Sequence, residues 1–313
     1  MNTVLNRRTV LMAAALGAST TLLQACGGSD DEPQRNIVEV AQNTPDLSIL
    51  VEAVVAAGLA PTLSTGMLTV FAPTNAAFAA LLTELNVSKA DLLANKALLT
   101  AVLTYHVLGS RVVLANVPVG KAITPLGGGF FKVESSGGLK ITDGRNRVSN
   151  ITATNIEASN GVVHLIDKVL LPANMDIVQT ASALPNFSIL VEAVVAAGLV
   201  DTLKSAGPFT VLAPTNAAFA ALLGELGKTK EQLLGDKALL TKVLTYHVIP
   251  ARVLKAEVPL NTAITSVQGD TFTVDANLVI TDKNGRKSSL IATDVFTSNG
   301  VIHAIDKVLL PTL

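Results

Sequence analysis

Ser48-Ile-Leu-Val-Glu-Ala-Val-Val-Ala-Ala-Gly-Leu59 occurs twice in this chain, letter for letter, the second time at residues 188–199. Other stretches recur at nearly the same displacement of 140 residues. Ala72-Pro-Thr-Asn-Ala-Ala-Phe-Ala-Ala-Leu-Leu82 returns at 213–223 and Val102-Leu-Thr-Tyr-His-Val107 at 243–248, both displaced by 141. Ile166-Asp-Lys-Val-Leu-Leu-Pro172 returns at 305–311, displaced by 139. So long a period exceeds the roughly 20–50 residues of stacked repeats, and each copy has room for a core of its own. The 313 residues therefore read as two tandem domains, 36–172 and 174–313, with a boundary near 172–176.

Within each copy the apolar spacing is helical first and strand-like later. Ile49, Leu50, Ala53, Val54 and Ala57 form a helical stripe that stops at Gly58, a residue suited to the left-handed turn that ends helices. Leu68-Thr-Val-Phe-Ala72 alternates and is ended by Pro73, the pattern of a short strand. Thr74, and Thr215 in the second copy, suit the cap that starts the Ala-rich helix after them. Ser88 with Asp91, and Thr229 with Gln232, match capping boxes. Beyond Tyr105 the chain turns to Val, Ile and Thr with Gly-rich turns, which predicts a sheet through to the carboxyl end. The expected fold class is α+β, twice over.

The amino terminus has a different character. Arg7 and Arg8 precede an apolar run from Val10 to Leu23 that is broken by Gly17, Ser19, Thr20 and Thr21. It is shorter than the roughly 20 apolar residues of a membrane span and predicts a cleaved signal peptide over 1–25. Leu23-Gln24-Ala25-Cys26 resembles the bacterial lipobox, which makes Cys26, the single cysteine, the lipidated first residue of the mature chain. Arg7-Arg8 also resembles a twin-arginine signal, but two basic residues suit any signal, so the export route stays open. Residues 26–35 carry almost nothing apolar and read as a tether. Gly27 after the cysteine, in place of Asp, resembles the Gram-negative pattern sent on to the outer membrane.

Composition removes some function classes. Without the leader, 21 of the 23 basic residues face 24 acidic ones, a balance that offers nucleic acid no electrostatic footing. Trp is absent and Tyr occurs only at 105 and 246, so stacking platforms for bases or sugars are scarce.

Thr69-Val-Phe-Ala-Pro-Thr-Asn-Ala-Ala-Phe78, Tyr105-His106 and Asn160-Gly-Val-Val-His-Leu-Ile-Asp167 resemble, in order, the three signatures of the fasciclin domain. The second copy repeats them at 210–219, at Tyr246-His247 and at 299–306, and the resemblance covers nearly everything after residue 35. It implies a wedge-like β-sandwich with helices packed against it in each copy. It also implies an extracellular or surface-anchored adhesion role without catalysis or cofactor.

All four histidines, His106, His164, His247 and His303, fall in these signatures. His106 continues the apolar stripe of Leu99, Val102 and Leu103, as a hydrogen-bonded core histidine does. His164 and Asp167 have the spacing of a dyad, and His303 and Asp306 repeat it, but residues three apart on a regular strand point to opposite faces. The two aspartates are expected to accept backbone, Tyr or His donors inside the domain. No Gly-x-Ser-x-Gly elbow or phosphate-cradling loop occurs. Asp143-Gly144-Arg145 and Asn284-Gly285-Arg286, aligned at a displacement of 141, read as hairpin turns. Arg145, Arg147, Lys283, Arg286 and Lys287 make both tips cationic and are candidate contacts for an anionic partner.

The function expected is a lipid-anchored envelope protein that binds an extracellular or envelope macromolecule, protein or polysaccharide, and touches membrane only through its anchor. Two rivals are a small-ligand receptor, which needs a large convergent apolar pocket, and a His/Asp hydrolase, which needs a paired histidine and carboxylate in an open cleft.

Overall fold

The computed structural model describes residues 35–312. The predicted leader, Cys26 and all of the tether except Arg35 lie outside them. No helix among the described residues is long and apolar enough to cross a membrane.

The first domain runs α1 (Ile37–Gln42), α2 (Ser48–Ala57), α3 (Ala60–Leu63), β1 (Leu68–Pro73), α4 (Asn75–Leu85), α5 (Lys89–Ala94) and α6 (Lys96–Tyr105). Six further strands follow: β2 (Val107–Leu108), β3 (Ala122–Ile123), β4 (Phe131–Glu134), β5 (Lys140–Thr142), β6 (Val148–Ala158) and β7 (Gly161–Ile166). The second domain repeats the order. Its helices are α7 (Ile177–Ser182), α8 (Ser188–Ala197), α9 (Val200–Lys204), α10 (Asn216–Leu226), α11 (Lys230–Gly235) and α12 (Lys237–Tyr246). Its strands are β8 (Phe209–Pro214), β9 (Val248–Ile249), β10 (Ile264–Thr265), β11 (Thr271–Val274), β12 (Val279–Thr281), β13 (Lys287–Thr297) and β14 (Gly300–Ile305).

Local chemistry explains the helix ends. Thr74 accepts the Ala77 N–H and Thr215 the Ala218 N–H, starting α4 and α10. Ser88–Asp91 and Thr229–Gln232 close reciprocal capping boxes on α5 and α11. Gly58, at φ 73°, ends α2 in the left-handed region.

Each domain holds one seven-stranded sheet, in the order β2-β1-β7-β6-β5-β4-β3 in the first. The helix-first segment sends β1 inside this sheet, between the edge strand β2 and the last strand, β7, to which it runs parallel. The sheet is curled. Phe71 on β1 and Phe131 on β4 have ring centroids 5.3 Å apart although three strands lie between them. A flat sheet would separate strands four places apart by roughly 19 Å. The long strand β6 makes the bend possible: it pairs with β5 through residues 148–150 and with β7 beyond them, with register shifts along the way.

Curling gives each domain two cores. Leu68, Val70 and Ala72 of β1 face the helices, while Phe71 faces inward with Phe131, Ile141 and Ile166. All six residues of β1 are buried, so its alternation separates two apolar faces rather than core from solvent.

Candidate functional site

The signature residues join these layers. Tyr105 ends α6 fully buried, and its hydroxyl donates to the Phe130 carbonyl while accepting from the Gly144 backbone. Tyr246 repeats this, donating to Thr271 O at 2.9 Å and accepting the Lys283 N–H at 3.0 Å. Burial pushes Tyr105 far above its ordinary value and Tyr246 up to about 12, so both hydroxyls stay protonated.

The next residue ties helix to carboxyl-terminal segment. His106 Nε2 accepts the Leu170 N–H at 2.9 Å, so Nδ1 carries the proton and donates to Val102 O at 2.7 Å. His247 does the same between Leu309 and Val243. Complete burial lowers both to about 4, which keeps them neutral. The strand histidines use the opposite tautomer. His164 Nδ1 accepts the Asn155 N–H and Nε2 donates to Val112 O; His303 does so with Asp294 and Val253. Both ring nitrogens of all four histidines are therefore occupied by backbone groups.

His164 and Asp167 do not meet. Asp167 accepts from Ser149 Oγ and from the backbone and side-chain nitrogens of Asn150. Burial opposes its charge, but these hydrogen bonds win and lower its pKa. Asp306 accepts from Ser288 Oγ and the Ser289 N–H. The donors are backbone, serine and asparagine groups, and the expected Tyr or His donors are not among them. Among the described residues the one carboxylate within 4.0 Å of a histidine is Asp294, with Oδ1 3.9 Å from His303 Nδ1. That nitrogen already accepts the Asp294 N–H, so it has no proton to share and the pair is no catalytic dyad.

The hairpin tips require two corrections. Asp143 is equivalent to Asp282, a displacement of 139 and not 141, since Asp143 Oδ1 accepts the N–H groups of Arg145 and Arg147 as Asp282 Oδ1 accepts those of Asn284 and Arg286. Arg147 and Arg286 thus occupy one position, and neither is a free cation. Arg147 is held by Asp143, Glu84 and the Val169 carbonyl, and Arg286 by Glu225 with Asp282 at 3.8 Å. The guanidinium of Arg145 has no hydrogen-bond partner among the described residues, and Lys283 and Lys287 are exposed.

Asp143 itself escapes a turn-based reading. It is 1% exposed, and besides Arg147 it accepts the Leu171 N–H at 2.9 Å, fastening the hairpin to the end of the domain. Thr69 also passes without notice, although its hydroxyl donates to Ser110 O and accepts the Val112 N–H. Both lie in repeated stretches, but only pairing partners far along the chain reveal their roles.

The apolar cavities inside each domain are small: between helices and sheet they measure about 30 Å³ in the first domain and about 50 Å³ in the second, with one of about 120 Å³ beneath α10 and α12. Ligand pockets usually offer about 300–1,000 Å³. Two open clefts beside the contact between the domains are larger, about 470 Å³ around Lys132, Lys255 and Asn277 and about 620 Å³ around Lys132, Asn146 and Thr293, and both have a mixed polar lining. Among the described residues no cluster of three His, Cys, Asp or Glu side chains could hold a metal ion.

Comparison with known proteins matches these joints to a family. The fasciclin domain family matches residues 45–172 and 185–311. Protein sll1483 of Synechocystis is 41% identical over 154 residues, 48% of this chain and 81% of that one. Pig transforming growth factor-beta-induced protein ig-h3 is 32% identical over 251 residues, and human periostin 26% over 284. These cover 79% and 88% of this chain but only 35% and 31% of theirs, so the chain spans about a third of those two relatives. A solved fasciclin domain pair from the insect cell adhesion molecule fasciclin I covers 85% of this chain and 97% of its own, at 18% identity and a TM-score of 0.43. With the family matched once in each copy, over most of the chain, the chain belongs to the fasciclin family, as two tandem fasciclin domains.

Proposed function

We propose that this chain is a non-catalytic adhesion or matrix-binding protein, exported and held at the cell envelope by a lipid on Cys26. Its partner is an extracellular or envelope macromolecule, protein or polysaccharide, and two modules on one chain add avidity where both reach it. The observation that carries this reading is the engagement of every signature histidine with backbone groups, which leaves no ring nitrogen to move a proton or bind a metal. Membership in the fasciclin family supports it, and the small apolar cavities between helices and sheet speak against a receptor that encloses a small ligand there. Arg145, Lys283 and Lys287, cations with no ion pair among the described residues, are the contacts we assign to an anionic partner.

The test is retention of the exported chain on immobilised envelope polysaccharides and matrix proteins, with an assay for hydrolysis of the same materials. Saturable retention that weakens on Arg145→Glu, Lys283→Glu and Lys287→Glu supports the reading. Turnover abolished by His303→Gln would replace it with a hydrolase.

A further inference from the structure

The two domains share a fifth core cluster that belongs to neither alone. Phe130 of the first packs with Leu254, Phe296 and Val301 of the second. The Phe130 and Phe296 ring centroids lie 4.7 Å apart, and the Arg252 guanidinium covers the Phe130 ring at 4.5 Å. Beside them Lys132 reaches Asp294 at 2.8 Å, with side chains only 9% and 5% exposed. Asn146 accepts the Phe296 N–H at 2.6 Å and donates to the Phe296 carbonyl at 3.0 Å.

This contact is head to tail, because different faces of equivalent domains meet. The first domain offers Phe130, Lys132 and Asn146, while the second offers Arg252, Leu254, Asp294 and Phe296. Pairing registers and shared hydrogen bonds locate the counterparts of these faces at the outer ends. On the second domain they are Thr271, Thr273 and Gly285. On the first they are Arg111, Val113, Asn155 and Glu157. A heterologous contact between identical units propagates into a filament unless something stops it. Here Arg111 keeps the arginine and Val113 an aliphatic side chain, but the other residues that make the contact are changed at both outer ends. Threonines replace the phenylalanine and lysine, asparagine replaces the aspartate, and an exposed Glu157 paired with Arg111 at 2.7 Å replaces the phenylalanine.

We propose that the domain contact is a single-use interface. The Phe130–Lys132–Asn146 face is a docking surface for one fasciclin domain bearing Arg, Leu, Asp and Phe at the matching positions. Divergence between the repeats confines that contact to the two domains of one chain. The inference is independent of what the protein binds.

The experiment rebuilds the missing faces in the full chain. Asn155→Asp with Glu157→Phe restores one, and Thr271→Phe, Thr273→Lys and Gly285→Asn restore the other; asparagine tolerates the left-handed backbone at Gly285, as Asn146 does at φ 61°. Light scattering should find the parent and each single-face chain monomeric, equimolar mixtures of the two dimeric, and the five-substitution chain growing with concentration. A five-substitution chain that melts cooperatively yet stays monomeric, or a parent that self-associates, overturns the proposal. Should the rebuilt chain not fold, Lys132→Thr with Asp294→Asn in the parent provides a second measurement. It should raise the radius of gyration in X-ray scattering and open residues 172–176 to protease, and no change in either would overturn the proposal.

Discussion

His106→Gln separates a structural from a chemical histidine, because the structure fixes both the size and the pH dependence of the loss. The substitution disturbs a buried acceptor for the Leu170 N–H and a donor to Val102 O. Leaving such a group unsatisfied costs about 1–3 kcal/mol at neutral pH. The titration adds a second effect. In the folded domain His106 sits at about 4, against 6.5 for the free side chain, so between these values the unfolded chain binds more protons. Stability is then fully present above 6.5 and is lost as pH falls through the window towards 4. For one completely buried histidine the loss between pH 7 and pH 4.5 is on the order of 2 kcal/mol. Glutamine does not titrate and abolishes that increment. Urea unfolding followed by far-ultraviolet circular dichroism at the two pH values measures it. A variant as stable as the parent at pH 7, or one losing as much stability as the parent on acidification, refutes the reasoning.

Asp143→Ala should destabilise the first domain by about 3–5 kcal/mol, since it leaves the partly buried Arg147 without its main partner and the Leu171 N–H unpaired; urea midpoints check it. Gly161→Ala should cost at least about 3 kcal/mol or prevent folding, because its Cβ would lie 2.0 Å from the Leu68 carbonyl oxygen at φ 151°, and a soluble, unshifted melting curve would contradict this. Cys26→Ala should release the protein from the membrane fraction or leave its leader uncleaved. Unchanged retention with normal processing would remove the anchor from the account.

The helix caps at Thr74 and Thr215 and the stop at Gly58 are legible in the sequence because their partners lie within a few residues. The fasciclin resemblance is legible too, since three motifs recur in order. What escapes is long-range. The parallel pairing of β1 with β7 joins residues more than 90 apart, and no local pattern announces it. Asp143 satisfies the local rule for an Asp-Gly turn so well that its burial against Leu171 stays hidden, and with it the two-residue error in aligning the tips. The domain contact was written in the differences between the copies, such as Lys132 against Thr273 and Asp294 against Asn155, whereas a search for repeats attends to what is shared.

The four histidines offer the most direct test, through nitrogen-15 and ring-proton NMR of the full chain titrated from pH 8 to 5. His106 and His247 should stay neutral across that range with the proton on Nδ1, and His164 and His303 should titrate below the ordinary value of 6.5 with the proton of the neutral ring on Nε2. A histidine titrating near neutrality, showing the other tautomer, or shifting on addition of zinc would contradict the claim that these signatures hold a fold together and do no chemistry.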